Sequence, residues 1–247
     1  MNISVGLATY NGEKYIKQQI FSILPQLNKG DELLVIDDNS IDNTVNIVKE
    51  IDSEYIRIIV NKMNLGHVKT FEKLISLCKN EVIFMCDQDD IWVLNKVEIF
   101  KKYFKEFNAY LISDNSWFID ENGDEIESDL VKVYPEDSGN YSKNILNIYK
   151  GKAGYYGCAM AFNQDLKRII LPIPEYIESH DLWIAMAANV IKSNLHINEK
   201  TFFRRIHGKN DSLKKRKLIK KIISRWLFLK SQKELAIRMK NIKPTIP

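Results

Sequence analysis

The stretch EVIFMCDQDDIW, residues 81 to 92, joins an apolar run directly to three carboxylates within four positions. Its first half is apolar and rich in β-structure formers without alternation, which is typical of a strand buried on both faces of a parallel sheet. Asp87, Asp89 and Asp90 follow where that strand must end. The stretch therefore predicts a buried strand whose carboxyl end opens onto concentrated negative charge.

Three similar apolar runs precede this one, and segments with helical spacing of apolar residues separate them. The runs are ISVGLA from Ile3, ELLVI from Glu32 and IRIIV from Ile56. Strand starts about 25 residues apart suit right-handed βαβ units. A further helix (Val97 to Phe107) and a strand (Ala109 to Ile112) continue the pattern. The sequence predicts an α/β fold with a doubly wound, mostly parallel sheet in a single domain.

Polar residues follow every one of these strands. They are Thr9 to Gly12, Asp37 to Ser40, Asn61 to Gly66, and Asp87 to Asp90. The carboxyl ends of parallel strands converge on the crevice where open α/β sheets bind ligands. Polar loops that cap the following helices are the alternative. Four such segments in succession favour a shared binding site.

The acids at residues 87 to 90 indicate a cation. Clustered carboxylates repel one another at reduced dielectric, so such a group holds a proton or a metal ion. Oxygen ligands favour Mg²⁺ or Mn²⁺, which keep open positions for phosphate oxygens. Of the three, Asp90 is expected to be the N-cap of a helix that starts near Ile91, and a purely structural alternative also leaves the other two acids solvated.

Other nucleotide-binding and phosphate-binding classes lack their signals here. No GxGxxG follows the first strand, and no GxxxxGK[ST] occurs in the chain. A receiver-like phosphoacceptor domain would need an acid pair after the first strand, where this chain has TYN. A nucleotidyltransferase would need a Gly- and Arg-rich loop there. A binding module that performs no catalysis, whether for sugar nucleotides or for membrane association, stays open as an alternative.

Four segments together resemble glycosyltransferase family 2, which has the GT-A fold. They are ATYNGEKYI, VIDDNSIDNT, NLG and MCDQDDIW. The resemblance covers roughly residues 1 to 210, and the DQDDIW and HDLW segments are most similar to bacterial rhamnosyltransferase-like members. It implies an inverting transferase that takes a UDP- or dTDP-sugar, dTDP-rhamnose among them. The enzyme would use Mn²⁺ or Mg²⁺ to extend a glycan in bacterial cell-surface polysaccharide synthesis.

The resemblance also assigns donor-site residues within residues 1 to 112, the expected nucleotide-sugar-binding half. Asp38 would bond the imide of a uracil or thymine base. Asp87 and Asp89 match the DxD motif, with Asp87 toward the ribose and Asp89 toward the metal and diphosphate. The remaining residues expected at the nucleotide-sugar are Thr9, Tyr10, Asn11, Asn64, Lys69 and Gln88.

Residues 113 to 210 are expected to form the acceptor and catalytic half. Residues 127 to 150 have little periodicity and are expected to form a variable acceptor-side loop. The stretch GYYGCAMAFN reads as a strand entered through small residues, and the resemblance makes Gly157 an acceptor-side candidate. Ser179 predicts a helix start. Trp117 to Asp120 and the Asn122-Gly123 turn predict a short hairpin.

Asp181 lies in the first turn of that predicted helix. A carboxylate there is favoured by the helix dipole alone, which is the structural reading. The resemblance places the family's catalytic base at HDLW, and a carboxylate in this position could take the proton of an attacking acceptor hydroxyl. We therefore expect Asp181 to be the base, with His180 in a position to orient it.

The segment FFRRIHGKN resembles the family's YRxHxxN segment. By that resemblance His207 approaches the metal or the diphosphate, and Arg204 or Arg205 approaches phosphate on the acceptor side. His67 and His196 have no motif around them and are expected to be surface or packing residues.

The positive charge of the chain is concentrated at its C-terminal end. From Lys209 onward there are 13 Lys or Arg and 2 Asp or Glu, a net of +11, whereas residues 1 to 208 carry −7. Residues 211 to 247 predict a basic amphipathic helical tail with an apolar stripe of Leu218, Ile219, Ile222, Ile223, Trp226 and Leu227. An anionic membrane surface and packing on the domain are both open for that stripe. Nucleic acid is not expected, since no aromatic-basic module accompanies the charge.

The cysteines and the N-terminal stretch predict a cytoplasmic protein. Cys78, Cys86 and Cys158 have no CxxC spacing and are expected to be reduced packing residues. The stretch MNISVGLATYNG lacks a basic leader with a long apolar core. A peripheral position on the inner face of the cytoplasmic membrane would follow if the tail binds membrane.

Overall fold

A computed structural model describes residues 1–208 and 218–241 of the chain, with side chains of the second segment described from residue 222. Its strands form one sheet in the order β3-β2-β1-β4-β7-β6-β8-β5. The strands are β1 Ile3–Thr9, β2 Glu32–Asp37, β3 Ile56–Val60, β4 Val82–Cys86, β5 Ile91–Trp92, β6 Leu111–Ile119, β7 Met160–Asn163 and β8 Asn194–Arg205. The helices are α1 Ile16–Ile23, α2 Thr44–Glu50, α3 His67–Leu77, α4 Lys96–Glu106, α5 Tyr141–Lys150, α6 Lys167–Ile170, α7 His180–Val190 and α8 Leu218–Asn241.

The four predicted strands of the first half pair in parallel, with β1 between β2 and β4 and with β3 outside β2. Every residue of β4 is buried, as its continuous apolar run predicts. Two hydrophobic clusters cover the two faces of the sheet, one built on α3 and α7 and the other on α1 and α4. The predicted fold class is confirmed.

A glycine lets α3 approach the sheet closely. A Cβ added to Gly6 in β1 would lie 1.9 Å from Cδ2 of Leu74, which is fully buried in α3. Helix and strand can therefore meet here only because position 6 has no side chain.

The second half adds strands of mixed direction. β7 is antiparallel to both β4 and β6, whereas β6 and β8 run parallel. The predicted strand at 109 to 112 and the first arm of the predicted hairpin are one nine-residue strand, β6. A bridge between Ile119 and Glu125 closes the turn at Asn122-Gly123.

The predicted role of Asp90 as a helix cap is wrong. Ile91 and Trp92 form the short strand β5, which pairs antiparallel with Phe203 and Phe202 of β8. Helix α4 begins four residues later, at Lys96, with Asn95 in the N-cap position. Residues 91 and 92 form a strand and not a helix because pairing with β8 buries Trp92 in the core.

Among its described side chains, the C-terminal helix packs on the domain with a face that shares only Leu227 with the predicted apolar stripe. Ser224, Ser231 and Leu235 are buried, and Phe228 packs against the cluster that contains α7. The predicted stripe residues Ile222, Ile223 and Trp226 are exposed. The predicted basic face includes Lys214 to Lys217, which lie outside the described residues, and Lys220 and Lys221, whose side chains do too. Among the described helices, none has the length and apolarity needed to cross a bilayer.

A fully buried lysine joins helix α4 to the strands of the second half of the chain. The ammonium of Lys96 lies 3.4 Å from the Asp114 carboxylate and donates to Thr201 Oγ1 at 2.9 Å and to the Cys158 carbonyl at 3.3 Å. The rings of Trp92, Phe100 and Phe202 surround it, with centroids 4.4 to 5.2 Å from Nζ. Burial raises the pKa of Asp114 above its ordinary value, although Lys96 and Thr201 partly oppose this rise. This ion pair connects α4, β6, β8 and the turn before β7.

We expect Lys96→Met to lower the free energy of unfolding by about 3–5 kcal/mol, because it leaves the Asp114 carboxylate buried without its cation. The matched double variant Lys96→Met/Asp114→Leu removes both charges and should recover most of that loss. Urea denaturation followed by circular dichroism measures both. Equal losses for the single and double variants would contradict this account.

Candidate active site

The four polar loops predicted from the sequence meet at the carboxyl edge of β1, β2, β3 and β4. Gln88, after β4, holds the loop after β1. Its Oε1 accepts hydrogen bonds from Thr9 Oγ1 at 2.6 Å and from the Tyr10 N–H at 2.8 Å, and its Nε2 donates to the Tyr10 carbonyl at 3.2 Å. Thr9, Tyr10 and Gln88, all predicted at the nucleotide, therefore form one contact group, with Tyr10 exposed.

Asn11 joins the loops after β1 and β2. Its backbone has φ of +50°, a left-handed conformation that asparagine tolerates better than most residues. Its N–H donates to Ser40 Oγ at 2.8 Å, and its Oδ1 accepts from the Ile41 N–H at 3.0 Å. The side chain predicted to line the nucleotide pocket thus also fixes the shape of its rim.

Asp38 organises the loop after β3. Its Oδ1 accepts from Asn61 Nδ2 at 2.8 Å and from the Leu65 N–H at 2.9 Å, and its Oδ2 accepts from the Gly66 N–H at 2.9 Å. Burial by itself would raise the pKa of Asp38, but these hydrogen bonds together lower it. The carboxylate is therefore ionised and prepared to accept a further donor such as a base imide.

Asn64 and Lys69 lie at the same loop and at the start of α3. Asn64 is exposed, and its Oδ1 accepts from the Gly66 N–H at 3.1 Å. Lys69 is half-exposed, and its ammonium lies 2.8 Å from the Glu72 carboxylate. Both residues are on the expected side of the sheet, and their contact with a nucleotide stays a prediction.

The acids after β4 form a buried cluster with a thiol. One ligand atom from each of Asp87, Asp90 and Cys158 lies within 4.8 Å of the others. Burial and the neighbouring Asp89 raise the pKa of Asp87 to about 6 and that of Asp90 to about 8. Burial likewise raises the pKa of the Cys158 thiol.

Arg204 of β8 provides positive charge close to this cluster. Its guanidinium lies 4.0 Å from the centroid of the Tyr156 ring and is largely buried. Burial alone would lower the pKa of Arg204, but Cys158, Asp90 and Asp87 raise it. The same charge lowers the pKa of both acids, so Arg204 partly balances the cluster.

Asp89 points away from this cluster toward the end of β8. Its Oδ2 lies 2.7 Å from Nε2 of His207, whose ring stacks on Tyr15 at 5.5 Å. The two residues predicted as metal ligands are therefore in contact. Their role as ligands stays a prediction.

Arg205 is almost fully buried, and its N–H groups donate to backbone and side-chain oxygens around the site. Its N–H donates to Asp90 Oδ1 at 3.1 Å and its Nε to the Asp89 carbonyl at 3.0 Å. Its two Nη atoms donate to the Asp120 carbonyl at 3.1 Å and to Gln18 Oε1 at 2.9 Å. The predicted acceptor-side contact of Arg205 would have to form beside these bonds.

Asp181 starts α7 on the other side of the site. Ser179 occupies the N-cap position, but its hydroxyl donates to Asp181 Oδ1, which also accepts from the Leu182 N–H at 2.8 Å. Asp181 is one of the charges that raise the pKa of Asp87, which places the two acids within electrostatic range of each other. The acid predicted as the base thus lies within electrostatic range of an acid predicted at the donor.

His180 and Gly157 pack together beneath that helix start. The His180 ring stacks on Phe71 with centroids 4.0 Å apart, and burial lowers its pKa to about 4. A Cβ at Gly157 would lie 3.0 Å from Nε2 of His180. Gly157 therefore allows the turn before β7 to lie against the residue that precedes Asp181.

The residues present fit a hard divalent cation. Asp90 Oδ2 is buried and has no hydrogen-bond partner in the part of the chain that the structure describes. The raised pKa values show that the acids cannot all ionise at low cost without added positive charge. Carboxylate oxygens with a histidine nitrogen at the rim suit Mn²⁺ or Mg²⁺.

A parallel sheet with a carboxylate-rich carboxyl edge, faced by a helix-start carboxylate, is the arrangement expected of a GT-A-type glycosyltransferase. The model of the family described as "Glycosyl transferase family 2" matches residues 4–170. The chain belongs to that family.

Named relatives and solved structures agree with this assignment. The chain is 40% identical over 100 residues to the dTDP-rhamnosyl transferase RfbG of Shigella flexneri, a match over 37% of this chain and 34% of that protein. It is 30% identical over 202 residues to an uncharacterized glycosyltransferase of Methanocaldococcus jannaschii, over 78% of this chain and 67% of that protein. The UDP-Glc:alpha-D-GlcNAc-diphosphoundecaprenol beta-1,3-glucosyltransferase WfgD of Escherichia coli is 34% identical over 97 residues, 39% of this chain and 38% of its own.

The crystal structure of S. aureus TarS 1-349 in complex with UDP-GlcNAc superimposes with a TM-score of 0.70 at 18% identity. The superposition covers 99% of this chain and 74% of that one. This likeness shows the fold.

Sequence reasoning missed three members of the site. Asp90 was assigned to a helix, Cys158 to packing, and Tyr156 to no role. No local sequence pattern identifies them, since Asp90 and Cys158 come together only when β4 and β7 pair. The choice between Arg204 and Arg205 likewise depends on which face of β8 meets the acids.

We expect Asp90→Asn to raise the melting temperature of the metal-free protein at pH 8. The pKa of Asp90 is raised on folding, so its contribution favours the folded state below about pH 4 and is lost as the pH rises toward 8. The amide mimics the protonated acid and removes that loss, by a few degrees or more. Thermal melts at pH 4, 6 and 8 should show a gain that shrinks as the pH falls. A gain that is equal at all three would contradict the assignment.

Proposed function

We propose that this protein is an inverting, metal-dependent hexosyltransferase that uses a UDP- or dTDP-sugar. The observation that carries the proposal is the presence of two carboxylate groups within electrostatic range of each other, the Asp87–Asp90 cluster after β4 and Asp181 at the start of α7. The first group is suited to a metal ion that binds the donor diphosphate, and the second is suited to accept the proton of an attacking hydroxyl.

The donor nucleotide is assigned to the loops after β1, β2 and β3. Asp38 accepts the base imide, since hydrogen bonds from its own loop hold it ionised. Thr9, Tyr10 and Asn11 line the pocket, where Tyr10 presents an exposed ring. Asn64 and Lys69 approach from the start of α3, and Gln88 keeps the first loop in place. The match to RfbG favours dTDP-rhamnose as the donor to test first.

The metal is assigned to Asp89 and His207, with Asp89 also toward the diphosphate and Asp87 toward the ribose. When bound, a divalent cation would neutralise the charge that develops on the departing diphosphate. Arg204 lies behind the acids and adds fixed positive charge. Gly157 and Arg205 are assigned to the acceptor side.

Asp181 is assigned as the base. Its Oδ1 receives hydrogen bonds from Ser179 and Leu182, so Oδ2 is the oxygen assigned to take the acceptor proton. The acceptor oxygen then forms its bond to the anomeric carbon as the bond to the diphosphate breaks. A displacement in line with the leaving group inverts the anomeric configuration.

The acceptor is proposed to be a glycan in cell-surface polysaccharide synthesis, carried on a lipid. The match to WfgD, whose name includes a diphosphoundecaprenol substrate, supports this class of acceptor. We place the reaction on the cytoplasmic side, with peripheral membrane contact through the basic tail.

Asp181→Asn should lower the rate of sugar transfer at least about a hundredfold, because the amide cannot accept a proton. The affinity for the nucleotide-sugar should stay within about twofold, since Asp181 is assigned to the acceptor proton. Radiolabelled transfer and isothermal titration calorimetry measure the two quantities. Asp165→Asn, on the exposed surface, is the matched control. Transfer at the wild-type rate by Asp181→Asn would rule out this base.

Asp89→Ala should weaken Mn²⁺-dependent nucleotide binding at least about tenfold and leave binding without metal nearly unchanged. Titrations of dTDP and UDP with and without Mn²⁺ measure the difference, with Asp129→Ala as the exposed control. If the metal increment survives in Asp89→Ala, the assignment of the ion to Asp89 and His207 is wrong.

A thermal-shift screen of dTDP-rhamnose and UDP-sugars with Mn²⁺ would identify the donor. Specific stabilisation by one nucleotide-sugar, followed by turnover with a glycan acceptor, is the expected result. Binding without turnover on any acceptor tested would favour a non-catalytic sugar-nucleotide-binding module instead.

A further inference from the structure

Helix α8 divides its side chains between two faces. The inner face packs on the domain through Ser224, Phe228, Ser231 and Leu235. The outer face carries large apolar side chains at helical spacing that are 44% to 62% exposed, namely Ile222, Trp226, Leu229 and Ile237. A helix with an inner face already packed and an outer apolar stripe still exposed has room for a second partner.

The outer face is also strongly basic. By helical periodicity Lys233 and Lys240 fall within the apolar stripe, and both are exposed. Arg225 and Lys230 flank it. Residues 222 to 241 contain one acid, Glu234, which pairs with Arg238 at 3.0 Å. Lysines inside an apolar stripe suit a bilayer interface, where the stem lies along apolar surface and the ammonium reaches the head groups.

We propose that the outer face of α8 docks on an anionic phospholipid surface. A second copy of this chain fits the face less well, because two such stripes would bring lysines together with no acid opposite them. An anionic bilayer supplies both the negative charge and the apolar layer for Trp226, Leu229 and their neighbours. This surface is specific to α8 and differs from the inner face that holds the helix on the domain.

Docking on this face would bring the membrane to one helix diameter, roughly 10 Å, from the residues that precede the proposed base. Ser224 Oγ on α8 donates to Glu178 Oε2 at 2.9 Å, and Glu178 precedes Asp181 by three residues. Lys230 Nζ lies 4.0 Å from the centroid of the Tyr176 ring. The use of this geometry rests on the proposed transfer to a lipid-linked acceptor, which would then emerge from the bilayer next to Asp181.

Vesicle flotation tests the docking without any catalysis. The full chain should float with phosphatidylcholine vesicles that contain phosphatidylglycerol and should float poorly with phosphatidylcholine alone. Binding should fall as salt is raised. The double variant Trp226→Ser/Leu229→Ser should weaken partitioning at least about tenfold, because it removes apolar surface from the interface.

Phe21→Ser is the matched control, since Phe21 is an exposed aromatic residue on α1 with Lys17 nearby. It should bind vesicles like the wild type. Thermal melts show whether each variant is folded, and both sites are exposed.

Three results would overturn the proposal. They are no flotation with anionic vesicles, equal flotation of the double variant and the wild type, or a dimer in light scattering that the double variant abolishes. Transfer to a soluble glycan acceptor separates this proposal from the enzymatic one. A double variant that keeps transfer and loses flotation supports both, whereas flotation without any transfer leaves docking intact and counts against the proposed reaction.

Discussion

Negative charge held at the carboxyl edge of β4 is the constraint on which the rest of this structure depends. Asp90 is buried and Asp87 is partly buried, and the charges of Asp89 and Asp87 raise the cost of ionising Asp90. Arg204 lowers that cost, but one guanidinium beside several acids leaves room for a further cation. The acids would therefore be stabilised by a bound cation, as the proposed function requires.

The loops around the acids are held by side chain to backbone hydrogen bonds rather than by packing. Gln88 fixes the loop after β1, and Asp38 fixes the loop after β3. Asn11 and Ser40 join the first two loops. Because the groups proposed to meet the nucleotide already hold one another, a donor would meet a rim that is largely pre-organised. Substitution of such a residue would then change loop shape and ligand contact together.

The second half of the chain completes the site from a distance. The carbonyl of Cys158 in that half accepts a hydrogen bond from Lys96 of α4, and Arg205 donates to the backbone carbonyls of Asp89 and Asp120. Gly157 lets the turn before β7 rest on His180. Helix α8 reaches the same region through Ser224 and Glu178. These contacts therefore join the second half of the chain, the start of α7 and helix α8.

The sequence by itself determined the parallel first half, the convergence of four polar loops and the family, because strand burial and loop chemistry are local patterns. It placed Asp87 and Asp89 at that edge for the same reason, and it placed Asp181 in the first turn of a helix. Only the tertiary structure decided that Asp90 belongs to the acid cluster, that Arg204 rather than Arg205 faces it, and that α8 packs with Phe228 and Leu235 while Trp226 stays exposed. Each of these depends on strands or helices far apart in the chain, since pairing and burial select one face of an element where local periodicity allows several.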